Sequence, residues 1–363
     1  EKTAPQDAFG RTGFRYPCRS GRTIIAELST TAPAEMPAQG LPASEGFGTP
    51  GYRAYVLSAL LIVYIFNFID RTIVNILTEP IKLSFGLEDW QMGLLGGPAF
   101  AVLYTFLGLP IARVAERKNR VVIIALAVAV WSLFTALCGF AMSFLMLFLF
   151  RVGVSIGEAG CTPPAQSLIA DYFKPSKRAT AVSIYALGVP LGGMLASVFG
   201  GQIAGMQGAD FGAWIASIGM GGIFGDLDWS QVEGWRIAFV VVGIPGLLLS
   251  LIVWRSIKEP PRGYTDPAAL QGLEKASFKE ALGVLMKKPA YRHVVIGATL
   301  ASFVGYGVGQ FTTSFLIRTH ELSIQTASLL FGIILGLMAA IGVFSSGWLS
   351  DKLAKRYPKA LSW

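Results

Sequence analysis

Asp70, Arg151 and Glu158 are ionisable residues set inside stretches that are otherwise apolar. An ionisable side chain within a membrane span costs about 2.5–3.5 kcal/mol on insertion scales, so it needs a partner or a task. Asp70 stands eight residues before Thr78, and Arg151 eight residues after Ser143. Eight helical residues rise about 12 Å. Two antiparallel helices therefore hold these side chains at one depth, where a carboxylate and a guanidinium can share hydrogen bonds. Glu158 follows Arg151 by two turns on the same helix face. The three residues are expected to form one polar wall of a central cavity. Burial and nearby cations set how tightly a carboxylate holds a proton. A wall of this kind suits proton coupling, because moving the arginine changes that hold. The alternative is a static buried ion pair that joins two helices. Arg71, turned about 100° from Asp70, either joins this network or packs.

Positioning such residues requires membrane helices, and the composition supplies them. Of 363 residues, 53% are hydrophobic and 14% charged, against about 25% charged in soluble domains. The apolar residues fall in runs of about twenty, enough to cross a ~30 Å hydrocarbon core. Eight spans are expected, near 54–77, 92–112, 121–141, 144–170, 179–204, 237–254, 294–315 and 327–348. Residues 1–53 read as a disordered cytoplasmic tail. Residues 54–254 form a six-helix bundle and 255–293 a basic cytoplasmic linker. Residues 294–363 begin a second bundle. Two histidines and three cysteines make no metal set, disulfide framework or catalytic constellation, and no cofactor is expected. An enzyme is therefore not expected.

The net charge of +8 does not point to nucleic acid. The bases collect in alternate loops: Arg113, Arg117, Lys118 and Arg120 after span 2, Lys174, Lys177 and Arg178 after span 4, and many after span 6. The intervening loops are acidic or base-poor; the fifth has Asp210, Asp226, Asp228 and Glu233 against Arg236 alone. This alternation puts the amino end and the basic loops in the cytoplasm, in a cell or inner membrane. In the sixth loop, Ser277 and Glu280 match a capping box, with Phe278, Ala281, Leu282 and Leu285 at helical spacing. A short amphipathic helix on the membrane face is expected there, with an unstructured linker as the alternative. The apolar stretch 214–224 of loop five is a re-entrant or a surface segment.

The basic loops also repeat. Ala112 is followed by Glu116, Arg117 and Arg120; 235 residues on, Gly347 is followed by Asp351, Lys352 and Arg356. A duplicated six-span unit accounts for the matched acid. The second copy then lacks about four spans, as in a truncated product or fragment. This pattern resembles the major facilitator superfamily, whose motif reads G-x-x-x-D-[RK]-x-x-[RK]; Ala112 and Glu116 depart mildly from it. Asn67-Phe68-Ile69-Asp70-Arg71, Arg151-x-Gly153-x-x-x-Gly157-Glu158-Ala159 and Ile169-Ala170-Asp171-Tyr172-Phe173 resemble its Spinster-like branch.

The resemblance implies an α-helical transporter working by alternating access between two bundles, with the acids and the arginine coupling protons. It implies a lysolipid-like or sphingoid-phosphate-like solute, to which Arg151 is suited. An organic anion or sugar acid is the rival within the superfamily, and a non-transporting receptor or scaffold the rival outside it. Glu116, Arg117, Arg120, Gly347, Asp351, Lys352 and Arg356 are expected at a cytoplasmic gate. Tyr64, Asn67, Arg151, Phe303, Tyr306 and Gln310 are candidate substrate contacts. The expected partners are a small solute, the proton and the bilayer, around a monomer. Pro163 and Pro164 should kink span 4. Gly188, Gly192 and Gly193 resemble part of an antiporter motif, and close helix packing is the reading preferred.

Overall fold

Thr49 accepts a hydrogen bond from the Tyr52 backbone N–H, and Pro50 opens the first helix behind it. Asn119, Ser143 and Ser323 cap three further helices in the same way. Each side-chain oxygen satisfies a backbone donor that an open helix end would leave unpaired. In this computed structural model, the structure describes residues 46–219, 228–265, 278–339, 341–342 and 345, and among them all regular structure is helical.

Seven helices among the described residues are long and apolar enough to cross a membrane. They are span 1 (Pro50–Ile76), span 2 (Asp89–Ala115), span 3 (Arg120–Cys138), span 4 (Phe144–Tyr172), span 5 (Thr180–Ala204), span 6 (Gly234–Ser256) and span 7 (Pro289–His320). A shorter apolar helix, Ile324–Met338, begins the expected span 8. The gate residues Gly347, Asp351, Lys352 and Arg356 lie outside the described residues, as does the tail up to residue 45. The helix expected in the sixth loop is present at Phe278–Met286. In loop five a helix runs over Gly208–Ser217, and residues 220–227 are outside the described set.

Span 4 is broken rather than bent. Its first helix stops at Glu158 and its second starts at Thr162, with proline in the first turn. Proline has no N–H to donate and is tolerated there, where a helix has no acceptor for it. Span 5 contains a wide π-turn at Ala196–Gly200, and span 8 another at Ile334–Met338.

Two apolar clusters hold the first six spans together. One joins Val56, Leu60, Ile124, Trp131, Leu168 and Val253 toward the end carrying the basic loops. The other joins Ile73, Leu77, Met92, Leu147, Trp235 and Phe239 toward the opposite, acidic end. Spans approach closely where glycine allows it: a Cβ on Gly192 would stand 2.6 Å from the Ile65 carbonyl oxygen of span 1. Between the two clusters runs a layer of buried polar residues: Asn67, Asp70, Ser132, Thr135, Arg151, Ser155 and Glu158. The fold thus isolates a polar layer at mid-depth between two apolar ones.

Candidate functional site

In that layer two arginine–carboxylate pairs cross between spans 1 and 4. Arg71 Nε donates to Glu158 Oε2 at 2.6 Å. Arg151 Nη1 stands 4.0 Å from Asp70 Oδ1 and donates to the Asp70 carbonyl at 3.4 Å. The Thr135 hydroxyl of span 3 donates to Asp70. Consecutive residues of span 1 point about 100° apart, so each reaches a different turn of span 4. The Arg71 guanidinium also lies 5.1, 5.0 and 4.5 Å from the ring centres of Phe68, Phe100 and Tyr104. Three aromatic faces and one carboxylate hold it, an arrangement that strengthens as water is excluded.

A cavity of about 650 Å³ lies between spans 1, 5, 7 and 8, and most of its wall is apolar. Phe68, Thr72 and Asn75 line it from span 1, Leu187 and Pro190 from span 5, and Tyr306 from span 7. A polar side pocket of about 90 Å³ shares Phe68, Thr72, Asn75 and Tyr306, and adds Arg71, Arg151, Phe100 and Gln310. Asp70 and Glu158, 2% and 0% exposed, line neither space. The arginines face the pocket, and the carboxylates stand behind them.

This geometry redistributes the residues singled out in the sequence. Arg151, Tyr306 and Gln310 come together at the side pocket, while Asp70 and Glu158 form its buried backing instead of a cavity wall. Tyr64 is withdrawn, its ring stacked on Tyr185 at 4.2 Å. Asn67 is fully buried and lines neither space. Phe303 is 80% exposed, because the cavity face of span 7 runs through Ser302, Gly305, Tyr306 and Gly309, and Phe303 falls beside it. Sequence reading left Arg71 undecided and missed Phe68, Thr72, Asn75, Phe100, Tyr104 and Thr135. The spacing of Phe68, Thr72 and Asn75 at i, i+4 and i+7, with two polar residues in an apolar span, was the available signal.

The acidic end of the cavity is closed by polar contacts between the first six spans and the next two. Arg318 reaches Glu79 at 2.6 Å and Asp89 at 2.7 Å, and Lys82 joins Asp89 at 2.6 Å. Gln310 donates to Thr78 at 3.1 Å, and Gln202 to the Gln325 carbonyl at 3.4 Å. At the basic end, Arg120 is turned inward. It donates to Asp171 at 2.5 Å, Glu259 at 2.7 Å, Ser167 at 2.8 Å and the Pro260 carbonyl at 3.0 Å. Arg120 therefore ties spans 3 and 4 to the segment that follows span 6, while Glu116 and Arg117 are exposed beyond span 2.

A six-span helical bundle that meets the first spans of a second around a cavity, with seven helices long and apolar enough to cross a membrane, defines a multi-pass integral membrane protein. The family model for the Major Facilitator Superfamily matches residues 60–363, and the chain belongs to that superfamily. Its families are transporters and not enzymes. Within it the chain resembles the Spinster-like branch. It is 50% identical to the crystal structure of a bacterial homologue of the human lysosomal transporter Spinster, inward-facing and unoccupied, with a TM-score of 0.79; the match covers 87% of this chain and 66% of that one. It is 27% identical to protein spinster homolog 1 of Homo sapiens, over 86% of this chain and 57% of the relative. It is 29% identical to an MFS-type efflux pump of Mycolicibacterium smegmatis, over 85% of this chain and 64% of the relative. The chain thus spans a little under two thirds of the length of these relatives.

Proposed function

We propose that the protein is a secondary active transporter that moves a small amphiphilic anion by alternating access, coupled to protons through Asp70, Arg71, Arg151 and Glu158. The carrying observation is the pairing of an apolar cavity with a polar side pocket that presents two arginines. An alkyl chain suits the apolar part. A phosphate or carboxylate head suits the pocket, where Arg151 Nε has no hydrogen-bond partner among the described residues. The relatives' names, a lysosomal transporter and an efflux pump, are compatible with this reading.

Coupling follows from the order of the groups. An anion in the pocket meets the arginines first, and drawing either one forward loosens its hold on the carboxylate behind it. Protonation of that carboxylate then replaces the lost charge pairing. With the basic loops on the cytoplasmic side, the closed acidic end is the outer face and the cavity belongs to the inward-facing state. Glu116 and Arg117, with Gly347, Asp351, Lys352 and Arg356, would meet when the inner face closes.

The test is proton flux in liposomes carrying an internal pH dye. Lysophospholipids, sphingoid phosphates and small organic anions are added in turn, beside Asp70→Asn and Glu158→Gln. Flux with one class, lost in both variants, supports the reading. Flux driven only by short organic anions moves the substrate to the sugar-acid type. Binding without proton movement leaves a uniporter with structural acids.

A further inference from the structure

The helix Gly208–Ser217, between spans 5 and 6, takes no part in the site above. We propose that it is an interfacial anchor, lying in the headgroup–acyl boundary at the acidic end with Trp214 and Ile218 against neutral phospholipid.

Its depth follows from what it packs on. Phe211 and Ile215 form a cluster with Ile237 of span 6, and Ile203, Trp229, Val232 and Val241 close around them. Span 6 begins at Gly234, so Ile237 and Val241 lie about 4.5 and 10 Å along its axis. The helix therefore meets the first turn of a membrane-crossing helix at Ile237 and does not stand clear above its end. The interfacial layer on each side of a bilayer is about 5–8 Å thick, and helices that rest in it bury their apolar face by about 5–10 Å.

The apolar stripe that docks the helix continues at i+3 onto Trp214 and Ile218, whose outer sides stay exposed, and the Trp214 ring rests against Phe211 at 5.5 Å. Trp214 is 54% exposed and Ile218 49%, with Met206 close before them at 44%. On span 6 the exposed residues Ile244 and Leu248 carry the same apolar surface deeper along the helix. Tryptophan at the edge of such a surface is the side chain that membrane interfaces select. The lipid is assigned as neutral because residues 205–236 hold four acids against one base, Arg236, whose guanidinium is taken up by Glu233 and the Gly139 and Ala141 carbonyls. A surface of that charge has nothing to offer an anionic headgroup.

The docking itself is tight. A Cβ on Gly208 would stand 1.9 Å from the Trp229 carbonyl oxygen, and one on Gly212 2.6 Å from the Trp229 ring. Glycine at both positions lets the helix lie flat on the turn at Trp229–Gln231, which fixes its depth.

The experiment uses the full chain with Cys18→Ser, in phosphatidylcholine nanodiscs. Trp214→Cys and Ile218→Cys carry spin labels in separate samples, and Ile244→Cys provides the lipid reference. Collision rates with oxygen and with a water-soluble nickel chelate are compared. Positions 214 and 218 are expected to favour oxygen, less strongly than position 244. Preference for the nickel chelate at 214 and 218 would put the face in water and overturn the proposal. Protection from both reagents would mean a protein surface covers it, which overturns the proposal equally.

Discussion

Arg318 of span 7 holds Asp89 of span 2 with both terminal nitrogens, at 2.9 and 2.7 Å. The contact joins the first bundle to the start of the second at the acidic end, and Glu79 and Lys82 extend it into a four-charge cluster. Exposed ion pairs contribute only about 0.2–1 kcal/mol each. Losing the cluster should therefore shift the open–closed balance of that end without unfolding the protein. Arg318→Gln is expected to raise labelling of Asn75→Cys from the acidic-loop side about two- to fivefold. High salt should mimic it in the unsubstituted protein. An unchanged labelling rate would show that the apolar contacts alone keep this end closed.

Arg71 and Glu158 are best tested as a pair. Arg71→Ala leaves a carboxylate buried without its cation, which costs about 3–5 kcal/mol. Glu158→Gln removes the charge that demands the cation. The double variant should recover most of the thermal stability that Arg71→Ala loses, and should still carry no proton-coupled flux. Additive stability losses in the double variant would mean that the two residues do not act on each other.

Arg71→Lys separates charge from shape. Lysine keeps the positive charge but lacks the planar guanidinium that sits against Phe68, Phe100 and Tyr104. The expected result is a folded protein whose transport falls about tenfold, the equivalent of about 1.4 kcal/mol. Full activity would assign the three rings to packing alone.

Asp70→Asn should abolish the pH dependence of transport and leave the thermal midpoint nearly unchanged, since Thr135 can still hydrogen-bond the amide. Loss of expression would instead mark the Asp70–Arg151 pair as a structural joint.

Arg120→Ala should act on stability more than on gating. The residue is 1% exposed and serves Asp171 and Glu259 at once, so its loss strands two acids at about 3–5 kcal/mol. Glu116→Ala, in the same loop but exposed, should leave the thermal midpoint unchanged and alter only access from the basic side. Similar losses of stability in both variants would refute this division of labour.

Much of the fold was legible because it rests on one-dimensional signals. Run length places the spans, and the Pro163–Pro164 pair fixes the break in span 4. The depth match of Asp70 and Arg151 follows from counting turns. The second pair, Arg71 with Glu158, is what counting misses. Rotation about the helix axis decides that Arg71 takes Glu158, and that rotation is set by packing of span 1 on span 5 and of span 4 on span 3. Phe303 lies off the cavity lining for the same reason. A candidate chosen as an aromatic beside glycines lands about 100° off the face that Ser302 and Tyr306 define. Phe100 and Tyr104 escaped notice because an aromatic in a membrane helix carries no mark of its own; only the guanidinium beside them reveals a task.

Span 5 presents small residues on two sides, one toward span 1 and one toward span 8. Gly188 and Gly192 fit against Tyr64, Ile65 and Phe68 of span 1, whereas Ser197, Gly201 and Gly205 meet Gly332, Ser328 and Gln325 of span 8 and the turn before it. The same helix is thus a strut on one side and a bearing on the other. Bulk added at Gly192 would keep the first bundle from assembling. Bulk added at Gly201 would leave that bundle whole and wedge its neighbour away, giving a protein that folds and is stuck with one door ajar.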